Sequence, residues 1–376
     1  MTLRQGKMLL DEIEGLALEV TEHQYKIQPD LMQRYGKPGF EKSRRDTVYT
    51  LHYLAESVRM DSPSLFVHYV GWLKQLLAGY GLTEADIRTK LELILDRVRA
   101  SEKDEWTDRT IRILNRGIAR TVEAGEVPSF LNKEHSLGAE SRMYLDALLS
   151  GDRVGANTLI DQLIERGETI RDIYRYIFQA SQYEVGRLWQ TQQISVADEH
   201  YCTAATQGTM SRLYARWLGT ERQSRKGTLV SACVGGEKHE IGLRMLTDVF
   251  EMEGWDTHYL GTSIDEDKLM DLIAQRKADI VALSATMTFH VRLMKKLIAN
   301  LRADERTADA LIMVGGLPFN VDPLLWQRVG ADGYAPDAEG ALAEAERLTA
   351  NRRPRERVRG QTVTAAEEEG GQGLGS

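Results

Sequence analysis

The sequence has 376 residues, 42% of them hydrophobic and 28% charged, which favours an ordinary soluble protein of two or three domains. A formal net charge of −8 argues against a nucleic-acid partner, because phosphate binding requires a basic surface. No apolar run approaches the roughly 20 residues of a membrane span. The N-terminus is too acidic for a signal peptide, and the two cysteines indicate no disulfide framework, so we expect a cytoplasmic protein.

Residues 1–133 are predicted to form an all-α domain. Apolar residues recur there at helical spacing in about five segments, without the alternation typical of strands. Segments 61–63 and 83–86 have the composition of helix starts. Pro38 and Pro128 predict breaks between helices.

Residues 137–220 are predicted to form a four-helix bundle. The helix patterns run near 139–150, 153–166, 169–189 and 195–218. Their short connections imply antiparallel neighbours. Ser195 and Asp198 form a capping-box-like start of the last helix. Small residues on that helix, Thr203 among them, would leave room for a bulky group on one face.

Residues 226–350 alternate between strand and helix patterns. The candidate strands are 228–233, 256–260, 279–284, 310–314 and 332–334, and the candidate helices are 240–253, 266–275, 290–303, 322–329 and 339–348. Five such units predict a doubly wound parallel sheet of flavodoxin-like (Rossmann-type) architecture. The chain is therefore expected to be a multidomain α and α/β protein, with a disordered tail over 351–376.

Polar and glycine residues follow several predicted strands at the edge where ligands bind in such sheets. Glu237 and His239 follow the first strand, and Ser284 and Thr286 lie at the end of the third. Gly315, Gly316, Gly333 and Tyr334 lie at the ends of the last two strands. Taken singly, each is ordinary turn chemistry.

Together with Gly242, the first of these loops reads Glu-x-His-x-x-Gly. This pattern, followed by the serine and the glycine pair, resembles the cobalamin-binding signature of flavodoxin-like corrinoid domains. The resemblance implies that His239 ligates cobalt from below and that Ser284 lines the slot for the benzimidazole tail. Glu237 would hydrogen-bond the ligating imidazole, which fixes its tautomer.

Trp189 is followed after nine residues by Glu199 and His200. This spacing resembles the CarH-type adenosylcobalamin photoreceptors. The resemblance implies that Trp189 packs over the adenosyl group, that Glu199 hydrogen-bonds it, and that His200 ligates cobalt after light has expelled it.

The chain lacks the winged-helix DNA-binding domain of those repressors. Its first domain resembles globin-like sensor domains, and the combination is similar to the photocobilins, which add a bilin such as biliverdin. His68, Tyr69, Trp72 and Arg59 are candidate bilin contacts, each more often a core or surface residue than a ligand. The first domain has no cysteine, so it offers no thioether link for a bilin.

The resulting expectation is a light sensor, not itself an enzyme, that signals to an unknown downstream protein or through a change of homo-oligomer. One alternative is a corrinoid protein that carries methyl groups for a methyltransferase and uses the same His239. Trp189 and His200 argue against it, because a methyl carrier must expose the upper face of cobalt. The other alternative is a cobalamin-only sensor whose first domain is an interaction module.

Overall fold

The computed structural model describes residues 10–101, 104–123, 125, 128–131, 134–217 and 226–350. The predicted tail over 351–376 lies outside these residues. None of the helices within these ranges is long and apolar enough to cross a membrane.

The N-terminal domain is helical, as predicted. Its helices are α1 (Leu10–Ile27), α2 (Asp30–Arg59), α3 (Pro63–Gly79), α4 (Glu84–Arg99) and α5 (Glu105–Val122). Pro63 is the first residue of α3, where a missing N–H costs nothing. Thr83 and Asp86 form a capping box at the start of α4. Both predicted helix starts are therefore confirmed.

The break predicted at Pro38 is a kink inside α2 rather than an end. Gly36 leaves the helical conformation at φ 59° and ψ −161°, and the chain resumes the helix directly afterwards. Pro38 then lies in the first turn after the kink, a position that a proline tolerates. The predicted break is therefore present, but the backbone turns at Gly36, two residues before Pro38.

The second region is the predicted helical bundle. It contains α6 (Gly138–Leu149), α7 (Arg153–Glu165), α8 (Ile170–Asp172), α9 (Ala180–Gln190) and α10 (Val196–Trp217). A π-helical segment, Ile173–Gln179, joins α8 to α9, so the three segments together form the third helix of the bundle. At the start of α10, the amide of Ser195 donates to Asp198, and the amide of Asp198 donates to the Ser195 hydroxyl. The predicted cap is confirmed.

The third region is a five-stranded parallel sheet in the order β2-β1-β3-β4-β5. Its strands are β1 (Thr228–Cys233), β2 (Asp256–Tyr259), β3 (Ile280–Ser284), β4 (Leu311–Gly315) and β5 (Gly333–Tyr334). The helices are α11 (Ile241–Met252), α12 (Glu266–Arg276), α13 (Val291–Ala303), α14 (Leu317–Val321), α15 (Leu325–Val329) and α16 (Ala338–Ala350). The helix predicted over 322–329 is shorter, and α14 precedes it because Pro318 starts a separate turn.

The three regions pack together through both faces of the sheet. One hydrophobic core joins the bundle to the α11 side of the sheet. The opposite core takes in Met60 and Leu65 of the N-terminal domain. At that contact, the hydroxyl of Ser62 donates to Asp322 at 2.6 Å. The carboxyl edge of the sheet therefore has the bundle and the N-terminal domain as neighbours.

Candidate functional site

The loop after β1 turns sharply through two glycines. Gly235 and Gly236 have φ angles of 73° and 74°, which side chains rarely adopt. A Cβ on Gly235 would lie 2.7 Å from Leu293 and 3.0 Å from the ring of His290, whereas a Cβ on Gly236 would meet nothing within 4 Å. The loop is thus packed on one side and open on the other.

Glu237 lies at the centre of the site, with 1% of its side chain exposed. Its Oε1 accepts from the amides of Lys238 and His239 at 2.9 and 3.1 Å and contacts Nδ1 of His239. Its Oε2 accepts from the amides of Thr286 and Met287 at 2.7 and 2.9 Å. Burial alone would raise the pKa of Glu237, but hydrogen bonds from His239, His290 and these two amides hold it well below its ordinary value.

His239 presents its free ring edge to solvent. Its side chain is 61% exposed, and its Nδ1 is occupied by Glu237. When Nδ1 carries the proton, Nε2 has the lone pair that a metal requires. The hydrogen bond to Glu237 raises the pKa of His239, burial opposes the rise, and Glu199 of α10 adds to it. The first turn of α10 therefore lies close enough to act on this imidazole.

The sequence analysis missed His290. It ends a short 3₁₀ turn, Thr288–His290, and its Nδ1 lies 3.2 Å from Oε2 of Glu237. The side chain is 11% exposed, and its ring packs edge-on against Phe289 at 4.7 Å. No local motif marks this residue, since 53 positions separate it from Glu237 in the sequence. The only available signal was a histidine shortly after the end of β3.

The loop after β3 supports Glu237 mainly through its backbone. Thr286 was predicted to offer a hydroxyl, but its observed contact is the amide that donates to Glu237. Ser284 is half-buried at the end of β3, where its carbonyl accepts from the amide of Val234. The two loops are thus joined by one main-chain hydrogen bond and by the amides of Thr286 and Met287, which donate to the Glu237 carboxylate.

The glycines at the end of β4 and the start of β5 differ in how closely they are packed. Gly316 has φ 100°, and a Cβ there would lie 2.0 Å from the carbonyl oxygen of Ala285. A Cβ on Gly315 would make an ordinary contact at 3.5 Å, while one on Gly333 would meet Glu344. The hydroxyl of Tyr334 donates to Asn320 at 2.9 Å, across the same edge of the sheet.

The predicted upper-face residues lie on α9 and α10. Glu199 accepts from the hydroxyl of Thr203 at 3.2 Å, and its other oxygen lies 3.1 Å from Nδ1 of His200. His200 is 77% exposed. Trp189 is half-buried against Trp72 of the N-terminal domain, with 6.3 Å between ring centroids. The roles predicted for these residues toward a cofactor stay predictions.

The candidate bilin contacts differ in exposure and in the residues that they contact. His68 is exposed, whereas the adjacent Tyr69 is buried and stacks on Tyr53 at 4.0 Å. Arg59 pairs with Glu56, and Trp72 faces the bundle. A bilin site built from these four residues stays a prediction.

The N-terminal domain reaches the loop that carries His290. The ring of Tyr53 packs edge-on against Phe289 at 6.0 Å, and its hydroxyl lies 3.8 Å from Sδ of Met287. Glu56 lies one turn after Tyr53 on α2. Burial raises the pKa of Glu56, and Arg59 opposes the rise, as do the charge and the backbone amide of Arg292. Glu56 therefore faces the first turn of α13, directly after His290.

Two protein-family models match this chain. Residues 227–345 match a B12 binding domain, and residues 141–214 match a second B12 binding domain model. Both segments are therefore similar to B12 binding domains. Residues 141–214 include Trp189, Glu199 and His200. Residues 227–345 include Glu237 and the two histidines that contact it, His239 and His290, which together form the Glu237 network.

Curated relatives resemble the same part of the chain. A dimethylamine corrinoid protein of Methanosarcina barkeri is 29% identical over 128 residues, which cover 34% of this chain and 59% of the relative. A corrinoid protein of Desulfitobacterium hafniense (strain Y51) is 29% identical over 131 residues, which cover 35% and 59%. The chain thus spans about three fifths of the length of these relatives. Neither name includes light sensing.

Solved structures give a weaker likeness. The monomethylamine corrinoid protein of Methanosarcina barkeri aligns with a TM-score of 0.47 at 22% identity, over 55% of this chain and 94% of that one. A cobalamin-binding protein from Desulfitobacterium hafniense DCB-2 aligns with a TM-score of 0.32 at 22% identity, over 55% and 97%. Both scores lie below 0.5, so the fold rests on the strands and helices of this chain.

The donor set fits a corrinoid. The corrin ring supplies its own nitrogens around cobalt, so the protein needs to offer one axial ligand. His239 is such a donor, exposed and held at its far nitrogen by a buried carboxylate. The open space beside Gly236, and beside Gly242, where a Cβ would likewise meet nothing within 4 Å, leaves the approach to this imidazole clear.

Proposed function

We propose that this chain is a corrinoid protein that carries a methyl group for a partner methyltransferase. The observation that carries the proposal is the pairing of buried Glu237 with exposed His239 at the carboxyl edge of the sheet. The names of the curated relatives, which join a corrinoid to a methylamine, support the methyl group as cargo. This was the alternative in the sequence analysis, and the relatives favour it over light sensing.

In this function, His239 and Glu237 would hold the corrinoid at the carboxyl edge of the sheet. A bound corrinoid would supply a cobalt centre that accepts and releases an alkyl group. His239 would ligate this centre, and Glu237 would keep Nδ1 of the imidazole protonated so that Nε2 stays available. The methyltransferase, rather than this chain, would activate the methyl donor.

Reconstitution with methylcobalamin tests the ligand and the cargo separately. Wild type and the surface control His23→Ala should bind it with a histidine-ligated optical spectrum, and His239→Ala should lose that spectrum. After photolysis has removed the methyl group and titanium(III) citrate has reduced the cobalt to cob(I)alamin, wild-type protein should be methylated again by iodomethane, with release of iodide. An unchanged ligation spectrum in His239→Ala would contradict the proposal, and so would a bound corrinoid that iodomethane cannot methylate.

An adenosylcobalamin light sensor is the second candidate. The observation that favours it is the group formed by Trp189, Glu199 and His200 on the bundle, together with the effect of Glu199 on the pKa of His239. In this function Trp189 and Glu199 would contact the adenosyl group. His200, exposed on the first turn of α10, would ligate cobalt after illumination.

Illumination of the adenosylcobalamin-loaded protein tests this candidate. A light sensor should give a stable bis-histidine spectrum in wild type and in the control His135→Ala, but not in His200→Ala. The same product in His200→Ala would exclude the light-sensing role of His200. Biliverdin added in the dark extends the test, since a far-red band would identify a bilin site in the N-terminal domain.

A further inference from the structure

The second histidine of the Glu237 network occupies a position with no assigned role. Glu237 has two oxygens, and each faces one histidine: Oε1 faces His239, and Oε2 faces His290. The carboxylate is almost wholly buried, so it has no water shell to compensate for a lost donor. His290, at 3.2 Å, therefore helps the amides of Thr286 and Met287, at 2.7 and 2.9 Å, to orient Glu237.

His290 itself is held from three directions. The backbone at Gly235 packs against one edge of its ring, close enough that a Cβ there would lie at 3.0 Å. Phe289 packs edge-on against the ring at 4.7 Å. The end of the 3₁₀ turn leads directly into α13, which fixes the backbone of His290.

Three side chains of helix α2 in the N-terminal domain lie against this turn. Tyr53 contacts Phe289 and Met287, the residues that precede His290 and follow Thr286. Glu56 faces Arg292, two residues after His290. His52 adds a third contact, with its ring 6.3 Å from that of Phe289. The segment 287–292 is thus clamped between α2 and the sheet.

We propose that His290 is a positioning residue for the axial ligand His239, acting through Glu237, and that helix α2 of the N-terminal domain holds His290 in place. The proposal rests on corrinoid binding through His239, which both candidate functions share. It gives the N-terminal domain a role at the cofactor site, because Tyr53 of α2 contacts the turn that carries His290.

The decisive measurement uses the full-length protein loaded with cob(II)alamin. In protein labelled with ¹⁵N-histidine, electron paramagnetic resonance reports a histidine ligand as a two-line superhyperfine splitting, distinct from the three lines of the cofactor's own ¹⁴N base, and a titration gives the dissociation constant. His290→Leu should lower the affinity about 10–100-fold, as loss of an outer partner of a metal ligand usually does. It should also give a mixture of ligated and unligated spectra. His290→Gln, whose amide can still donate to Glu237, should restore most of the wild-type signal.

The outcomes separate this proposal from the proposed function. Wild-type affinity and splitting in His290→Leu, while His239→Ala loses both, would overturn the positioning role and leave the ligand assignment intact. An unchanged signal in His239→Ala would overturn the ligand assignment itself. In the protein without cofactor, nuclear magnetic resonance of the His239 ring N–H gives an independent readout. His290→Leu should broaden or shift this signal.

The role of helix α2 is tested by a pair of tyrosine variants. Tyr53→Leu removes the contacts with Phe289 and Met287, so it should shift the splitting and the affinity in the same direction as His290→Leu. Tyr49→Leu changes an exposed tyrosine one turn earlier on the same helix and should leave both unchanged. If Tyr53→Leu matches wild type, the hold by the N-terminal domain is overturned. This pair also keeps the proposal testable should His290→Leu fail to fold.

Discussion

Trp72 of helix α3 and Trp189 of helix α9 lie with their rings 6.3 Å apart and tilted by 33°, and they join the N-terminal domain to the bundle. A hydrogen bond accompanies the contact: the side-chain amide of Gln190 donates to the carbonyl of Trp72 at 3.0 Å. Trp72 also stacks toward Tyr69, which stacks on Tyr53. A continuous series of rings therefore runs from Trp189 in the bundle to Phe289 beside His290.

The contact between Trp72 and Trp189 should be energetically coupled. We expect a double-mutant cycle of Trp72→Leu and Trp189→Leu to give a coupling energy of about 1 kcal/mol, as aromatic pairs do. Hydrogen exchange of amides in α3 and α9 measures the local opening free energy, which suits a protein of several domains. Trp106→Leu, in helix α5, should combine additively with Trp189→Leu. Additivity in the first cycle as well would mean that the two rings touch without mutual stabilisation.

The absence of a side chain at Gly316 allows the loops after β3 and β4 to meet. Gly316→Ala would force a Cβ to within 2.0 Å of the carbonyl oxygen of Ala285, in a conformation that side chains avoid. We expect a lower melting temperature, a loss of at least about 2 kcal/mol, and weaker cobalamin binding. The control is Gly315→Ala, whose Cβ would make an ordinary contact at 3.5 Å. Equal melting temperatures for the two variants would show that the loops can separate without cost.

The sequence predicted the sheet well because its strands are short apolar runs bounded by glycines and polar loops. Glu237 and His239 were also predictable, since the glycine turn and the spacing of the motif are local. His290 was not, because its partnership with Glu237 depends on how the loops after β1 and β3 meet. The contact of Tyr53 with Phe289 depends on domain packing, which no periodicity encodes. Pro38 indicated the break in α2, but the backbone leaves the helical conformation two residues earlier, at Gly36.

Replacement of the buried carboxylate should make the site less stable at neutral pH. Glu237→Gln removes the carboxylate that accepts hydrogen bonds from two histidines and from backbone amides. The NH2 group of the new side chain would then face other hydrogen-bond donors. We expect a loss of about 3 kcal/mol of unfolding free energy in the protein without cofactor. The pKa of Glu237 is lowered by folding, so its contribution is fully present above its ordinary pKa of 4.5. That contribution disappears as the pH falls through the folded-state pKa.

Unfolding experiments between pH 7.5 and pH 3 check this prediction. The difference between wild type and Glu237→Gln should be largest near neutrality and should shrink in acid. Glu237→Asp, which retains the charge on a shorter side chain, should keep the same dependence on pH with a smaller overall loss. A constant difference across the range would contradict a lowered pKa at Glu237.

Asp248 should have the opposite dependence on pH. This buried residue of α11 accepts from the hydroxyl of Tyr174 in the π-helical segment at 2.9 Å, which ties the bundle to the sheet. Burial raises the pKa of Asp248 to about 6, although the hydrogen bond from Tyr174 and the charge of Arg244 oppose the rise. The folded state therefore binds a proton more tightly than the unfolded state. The contribution of Asp248 to stability is greatest below about pH 4, falls as the pH rises to about 6, and then stays constant.

The variant Asp248→Asn isolates this effect, because its carbonyl can still accept from Tyr174 but cannot ionise. A rise in pKa from 3.8 to about 6 corresponds to about 3 kcal/mol of unfolding free energy that is missing above pH 6. We expect Asp248→Asn to melt at a higher temperature than wild type at pH 7.5 and at a similar temperature near pH 4. Asp146→Asn, on the exposed face of α6, provides a control with the same change in charge. A variant that is less stable than wild type at pH 7.5 would show that ionised Asp248 stabilises the contact between bundle and sheet.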